Sequence, residues 1–179
     1  KYREALGANR IDVSKVVGIR GVIVKDAAKI AAARDALSQT FENVTEGDGF
    51  YEDGSFVQHE NIAYNGSYGI VLIEGLTDML ELLSNSTWQV TDTKLTNVYD
   101  WIENAYEPFM YKGALMDMVR GRAISRNFLQ DHHAGHTIIK SVIRMAQFAP
   151  EPYAEKYNRM AKYWLQEDSY LDYFKNAGN

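Results

Sequence analysis

Two short stretches hold side chains able to move a proton. Asp53-Gly54-Ser55-Phe56-Val57-Gln58-His59 ends in an imidazole, and nine residues on Tyr68 sits inside Asn65-Gly66-Ser67-Tyr68-Gly69, just ahead of a long apolar run. Both lie in irregular, Gly-containing sequence, the kind of loop on which a rigid scaffold carries binding and catalytic groups. A third stretch, Met116-Asp117-Met118-Val119-Arg120-Gly121-Arg122-Ala123-Ile124-Ser125-Arg126, places three guanidinium groups within seven residues. Free tyrosine titrates at about 10, so at neutral pH roughly one phenol in a thousand is ionised. A guanidinium fixed about 4 Å away, at an effective dielectric of about 20, favours the phenolate by about 4 kcal/mol. That is enough to make the hydroxyl a usable general base. Together the three stretches predict proton abstraction by tyrosine beside a fixed cation.

The other chemical constellations are weaker. Arg122 and Arg126 stand four apart, so a helical turn would put them on one face, where planar guanidinium forks suit carboxylates. Arg120 would point elsewhere. The competing reading of these arginines is a salt-bridge network with acidic parts of the chain. His132 and His136 have the spacing of a helical pair of zinc ligands, but Gly135 weakens a helix there and a third ligand would have to come from afar, so no metal is expected. His59-Glu60 does not extend to His-Glu-x-x-His, because Ile62 and Ala63 follow. Asp53, Glu60 and Asp117 could supply a glycosidase pair, although their spacing fixes no separation. There is no Gly-x-Ser-x-Gly elbow and no phosphate-binding glycine loop.

At 179 residues, with 46% hydrophobic and 24% charged residues, the chain has the size and composition of one globular domain. No apolar run approaches the roughly 20 residues that span a bilayer. The absence of cysteine excludes disulfides and thiolate zinc sites. The chain starts at Lys1, as expected of a processed product, a fragment or a trimmed chain. Asn-x-Ser/Thr occurs at Asn43, Asn65 and Asn85, and Asn65 falls beside the candidate site. The net charge of −5 hides a division. Residues 1–34 carry eight Lys/Arg against three Asp/Glu, residues 35–111 one against fourteen, and residues 112–179 ten against seven. An anionic substrate would lie against the first and last segments rather than the middle, and the overall acidity gives nucleic-acid binding little support.

The pattern is helical nearly throughout. Residues 12–25 carry Val13, Val16, Val17, Ile19, Val22, Ile23 and Val24, too many for one narrow face, which predicts a well-buried helix. Gly18 and Gly21 within it predict a close approach to a neighbouring helix. Asp26 is a candidate N-cap for an Ala-rich helix over 26–41. Residues 42–68 read as a long loop with a short hairpin around Glu52-Asp53-Gly54, ordered by its aromatic residues. Helical periodicity returns from Gly69 to about Asn85 and again over 92–107, where Pro108 stops it. Tyr111-Lys112-Gly113-Ala114-Leu115 reads as a turn, and two more helices follow over about 134–149 and 153–166. Six helices of roughly 14–17 residues joined in pairs predict an all-α antiparallel array.

Gly7-Ala8-Asn9-Arg10, Asp53 to His59, Tyr64 to Gly69, and Met116-Asp117-Met118 running into Arg120 to Arg126 resemble, in order and separation, polysaccharide lyase family 8, the hyaluronate, chondroitin AC and xanthan lyases. The resemblance implies antiparallel helical hairpins forming the later part of an incomplete α/α toroid, in a single domain over 1–179, with the family's upstream helices and downstream β-sandwich domains lying outside it. It implies a secreted bacterial enzyme that cleaves a uronic-acid polysaccharide by β-elimination without metal or organic cofactor. By position, Asn9 would bind the uronate carboxylate, His59 would assist and orient the sugar, and Tyr68 would remove the C5 proton and return one to the departing O4. Arg122 would hold Tyr68 towards its ionised form and Arg126 would contact substrate. The alternatives are an α/α-toroid glycoside hydrolase with paired carboxylates and a non-catalytic carbohydrate-binding helical fragment.

Overall fold

The computed structural model describes residues 7–128 and 130–170. Six α-helices form its frame: α1 (Gly7–Ile23), α2 (Ala27–Ser38), α3 (Ile70–Leu83), α4 (Leu95–Ala105), α5 (Asp131–Met145) and α6 (Tyr153–Glu167). They run from 11 to 17 residues, and α1 starts five residues earlier than its periodicity predicts. Between α2 and α3 lies a small antiparallel sheet in the order β1 (Gly49–Phe50), β2 (Phe56–Gln58), β3 (Ile62–Ala63). A second hairpin, β4 (Met110–Tyr111) and β5 (Ala114–Leu115), precedes α5.

Helix α3 is the centre of the array. Leu72, Ile73, Leu76, Met79, Leu80 and Leu83 are buried, and it packs on α1 at one side and α5 at the other, with α6 beyond α5. Asp26 caps α2 as predicted, its carboxylate accepting from Lys29 N at 3.2 Å. After α4, Pro108 falls inside a short 3-10 turn, Glu107–Phe109, that carries the chain into β4.

The expectation of a well-buried α1 is wrong. Val13, Val16, Ile19, Val22, Ile23 and Val24 are all exposed, Val16 at 67% and Ile23 at 74%. The packed stripe is Ala8, Ile11, Ser14, Gly18 and Gly21, one residue every three or four positions and mostly small. A Cβ at Gly18 would stand 2.8 Å from Met79 Cε, and one at Gly21 2.8 Å from Ile30 Cγ1. Small side chains let α1 settle against α2 and α3 at short range, as the glycine pair implies, while the larger residues that dominate the periodicity point outward.

The loop between α2 and α3 is ordered by its aromatic residues. Phe50 stacks on Trp101 of α4, centroids 4.3 Å apart and planes within 17°, and meets Phe56 edge-on at 4.8 Å. The predicted hairpin around Glu52-Asp53-Gly54 joins β1 to β2, with Asp53 accepting from Ser55 N at 2.9 Å. Charge is balanced between segments: Lys15 of α1 and Arg144 of α5 both bond Asp78 of α3, Arg144 Nε also reaches Glu81 at 2.8 Å, and Lys140 reaches Glu74 at 2.9 Å. The acidic middle of the chain is thus flanked by its basic ends.

Two stability outcomes follow from α3. Burial acts to raise the Asp78 carboxyl, but hydrogen bonds from Lys15 and Arg144 outweigh it and hold the group below the usual carboxylate range. A depressed folded value stabilises the fold above the unfolded-state value and loses that stabilisation as pH falls through the folded one. Asp78→Asn should therefore lose about 1–3 kcal/mol at pH 7, and denaturant titrations should show the gap from the unsubstituted chain narrowing at acid pH. Gly75→Ala would set a Cβ 2.2 Å from the stiff Ile11 side chain. Overpacking of about 1–3 kcal/mol should exceed the roughly 1 kcal/mol gained in helix propensity, whereas Gly18→Ala, whose one tight neighbour is the mobile end of Met79 with Ala33 Cβ at an ordinary 3.4 Å, should change the unfolding midpoint little.

Candidate active site

Tyr68 is placed by a buried amide three residues before it. Asn65 is 1% exposed. Its Oδ1 accepts from Phe56 N at 3.0 Å, and its Nδ2 donates to Gly54 O at 2.9 Å and Ala105 O at 3.3 Å. Its own carbonyl accepts from Tyr106 Oη at 3.2 Å. The β1–β2 hairpin, the end of α4 and the start of α3 therefore meet at one side chain. From there Asn65–Gly69 makes a wide, π-type turn into α3, with Gly66 at φ −86° and ψ 16°, and the turn leaves Tyr68 partly exposed at its outer edge. The sequon at Asn65 is structural, since its amide is spent on backbone groups.

His59 is held at the turn between β2 and β3, with φ 57° there and 73° at Glu60. Left-handed backbone is uncommon outside glycine and tends to gather at functional sites. Here Asp48 supports it: one carboxylate oxygen accepts from Glu60 N at 3.0 Å and the other bonds the Gln58 amide. The His59 ring lies edge-on to Tyr68, centroids 5.1 Å apart at 88°, and to the buried Tyr64 at 5.9 Å. Tyr64 in turn meets Tyr68 edge-on at 5.2 Å.

Arg122 comes from the 3-10 turn Gly121–Ser125. Its Nη2 donates to Tyr68 Oη at 3.2 Å, while its backbone N lies 3.4 Å from Tyr64 Oη. Gly121 makes this approach possible: its φ is +51°, and a Cβ there would stand 2.4 Å from the Tyr64 ring. Three predicted residues, His59, Tyr68 and Arg122, are thus brought together around the Tyr64 ring.

Arg126 and Asn9 are placed differently. Arg122 and Arg126 do not share an α-helical face: the 3-10 turn ends at Ser125, and Arg126 is extended, at φ −88° and ψ 118°. A 3-10 turn has three residues per turn, so the four-residue spacing no longer superposes them. Arg126 instead lines a cavity of about 200 Å³ beside the Tyr68 turn, with Ser67, Glu74, His133 and Thr137. Asn9 is exposed in the first turn of α1. Gly7, two residues before it, abuts Gln58 beside His59, but among the described residues no hydrogen bond joins Asn9 to the other three. Arg120 does point elsewhere: it is 1% exposed and paired with Asp117. Among the described residues neither Arg122 nor Arg126 has a carboxylate partner, which sets aside the salt-bridge reading for these two. Asp53 bonds Ser55 and Asp117 bonds Arg120, so two of the three candidate hydrolase carboxylates serve local structure. Asp48, Tyr64 and Asn65 carry positioning roles that residue type and spacing do not reveal. The one signal, for Tyr64 and Asn65 alone, is that they lie four and three residues before Tyr68.

Residues 1–163 match polysaccharide lyase family 8, N terminal alpha-helical domain. The chain belongs to that family. It is 54% identical over 170 residues to a xanthan lyase of Bacillus sp. (strain GL1), covering 94% of this chain and 18% of that protein. A hyaluronate lyase of Thermasporomyces composti is 45% identical over 163 residues, covering 91% of this chain and 21% of that protein. Among solved structures, Paenibacillus xanthan lyase superposes with a TM-score of 0.90 at 52% identity, over 93% of this chain and 16% of that one. Streptomyces coelicolor A3 chondroitin AC lyase, in complex with chondroitin sulphate, gives 0.89 at 42% identity, over 96% of this chain and 24% of that one. The chain spans about a fifth of the curated relatives' length, and its helices take the α/α-toroid arrangement of these lyases.

For a family 8 chain built this way, Asn65 is the residue whose loss should be felt furthest. Asn65→Ala would leave Phe56 N, Gly54 O and Ala105 O without their partner. At about 1–3 kcal/mol for each buried group stranded, the expected loss is roughly 3 kcal/mol or more, read as a lower chemical-denaturation midpoint. The Tyr68 turn should also gain amide hydrogen exchange ahead of α5 and α6.

Proposed function

We propose that this chain carries the catalytic tyrosine of a lyase that cleaves a uronic-acid polysaccharide of the hyaluronan, chondroitin or xanthan type by β-elimination. The observation that carries the reading is the hydrogen bond from the Arg122 guanidinium to the Tyr68 hydroxyl, with His59 edge-on to the same ring. In the elimination the C5–H bond of the uronate breaks, the C4–O4 bond breaks, and a C4–C5 double bond forms between them. Tyr68 takes the C5 proton, and Arg122 donates to the oxygen that carries negative charge before the transfer. The same hydroxyl then returns a proton to the departing O4. One group serves as base and acid because both protons lie on one side of the sugar within its reach.

The uronate carboxylate must be neutralised for C5 to be acidic. His59 and Asn9 are the residues assigned to it, with Asn9 exposed in the first turn of α1, two residues after the Gly7 that abuts Gln58 of β2. Arg126, exposed and without a carboxylate partner among the described residues, is suited to hold an anionic sugar along the adjacent cavity. Residues beyond this chain would complete the cleft, and a secreted setting fits a polymeric substrate.

The test uses the full-length enzyme that carries this chain, assayed on hyaluronan, chondroitin and xanthan while following the ultraviolet absorbance of the new conjugated double bond. Tyr68→Phe should lower turnover by roughly 10²- to 10⁴-fold, the usual range for a lost general acid–base group, with polymer binding retained. New reducing ends without absorbance would mean hydrolysis instead. Undiminished turnover in the phenylalanine variant would remove Tyr68 from the chemistry.

A further inference from the structure

Away from the tyrosine, the first two turns of α5 carry a second group of chemistry-bearing side chains. His132 and His136 stand one turn apart, and Asp168, the residue after α6, reaches them from 32 positions further along the chain. His136 Nε2 and Asp168 Oδ2 are 2.6 Å apart, and His132 Nδ1 and Asp168 Oδ1 3.8 Å. One ligand atom from each residue lies within 4.8 Å of the other two. The Asp168 side chain is 0% exposed and each imidazole 20%. His132 Nδ1 is buried and makes no hydrogen bond among the described residues. In the chain alone that is unfavourable, and ligating a cation would satisfy it.

The carboxylate is held in place from several sides. Tyr170 N donates to Asp168 Oδ1 at 2.7 Å, and Ser169 N donates to Lys112 O at 3.2 Å. Asp168 Oδ2 fills space that Gly113 leaves in the β4–β5 turn, where a Cβ would stand 2.0 Å from it and φ is +83°. The Tyr170 ring lies over His132, centroids 5.2 Å apart at 30°.

We propose that His132, His136 and Asp168 bind one divalent transition-metal ion of the zinc class, with the remaining position taken by water. Two imidazoles and one carboxylate suit such an ion, whereas calcium needs about six to eight oxygens. Zinc bonds of about 2.0–2.2 Å place tetrahedral ligand atoms roughly 3.4 Å apart. The two histidine–carboxylate separations bracket that value and all three ligand atoms lie within 4.8 Å of one another, so the side chains must draw together around the ion to complete the site. The Tyr170 amide supplies the outer hydrogen bond that orients a ligating carboxylate. The ion joins the first two turns of α5, the β4–β5 turn and the chain beyond α6. His133, between the two ligands on α5, lines the cavity of Arg126 on another side of the helix, so the ion braces the wall behind that cavity.

The full chain, stripped with a chelator, is titrated with Co²⁺ and then Zn²⁺ alone. The expected result is visible absorption of a low-coordinate cobalt ion, displaced by zinc, and a melting temperature that rises with zinc up to one equivalent. His132→Phe keeps a ring against Tyr170 and removes both ring nitrogens, among them the Nδ1 that has no hydrogen-bond partner among the described residues. It should melt as the unsubstituted chain does in chelator, lose the zinc-dependent rise, and bind cobalt more than about 10-fold more weakly. His136→Gln should lose the same signals. Unchanged cobalt affinity in both variants, or no cobalt spectrum in the unsubstituted chain, overturns the site. Should a variant fail to fold, the spectrum and melting of the unsubstituted chain decide it. None of these readouts passes through catalysis, so they stand apart from the test of Tyr68.

Discussion

The Asn65 side chain is the constraint on which the rest of the site depends. A primary amide offers an acceptor and two donors in one rigid plane, and all three directions are used on backbone groups from separate elements. In water each of those groups would be solvated; in the dry interior each must be matched or its desolvation is uncompensated. The geometry is therefore over-determined. The hairpin cannot shift without breaking bonds to the end of α4, nor can the turn that carries Tyr68. Tyr64, one residue earlier, does the same for the other half of the pair, since its ring seats Gly121 and its hydroxyl lies against Arg122 N. Acid–base chemistry tolerates little positional error, and here donor and acceptor are referenced to adjacent positions of one backbone.

Environment sorts the tyrosines of this chain into kinds. Burial drives Tyr106 and Tyr157 well up, and Tyr153 is pushed up to about 12 by its hydrogen bond to Asp100 and by burial. Such hydroxyls serve as neutral donors: Tyr157 to Tyr99 O at 2.8 Å, Tyr106 to Asn65 O. Tyr68 differs in surface access and in accepting from a cation. A chain rich in tyrosine thus holds the same side chain both as a buried strut and as a partly exposed hydroxyl beside a cation, and neighbours rather than residue type decide between them.

The six helices were legible because each buries one face and repeats it over three or more turns. The grouping of His59, Tyr68 and Arg122 was legible, since an imidazole, a phenol and a guanidinium stand in irregular sequence at the edges of the helices that bring them together. What residue pattern hid was long-range. The inward face of α1 is made mostly of small residues that score weakly as apolar, so the glycine pair signals the close approach while the outward valines dominate the periodicity and the burial expected from it. Arg126 left the expected helical face because the chain adopts a 3-10 turn, which spacing alone does not distinguish from an α-helix. The left-handed backbone at His59 depends on Asp48, and the third member of the α5 cluster arrives from beyond α6. Apart from the 3-10 turn, the missing information is a contact between segments that no local window contains.

The outward valines of α1 carry one more consequence, for handling the chain in solution. A line of branched aliphatic groups on a rigid helix is a surface that water wets poorly. Its tendency to meet another such surface grows with sulfate or phosphate and fades with modest urea. Because small residues lock α1 closely onto α2 and α3, the helix has no room to roll and hide that line. Colloidal behaviour at high concentration is therefore set by the same tight packing that fixes the interior.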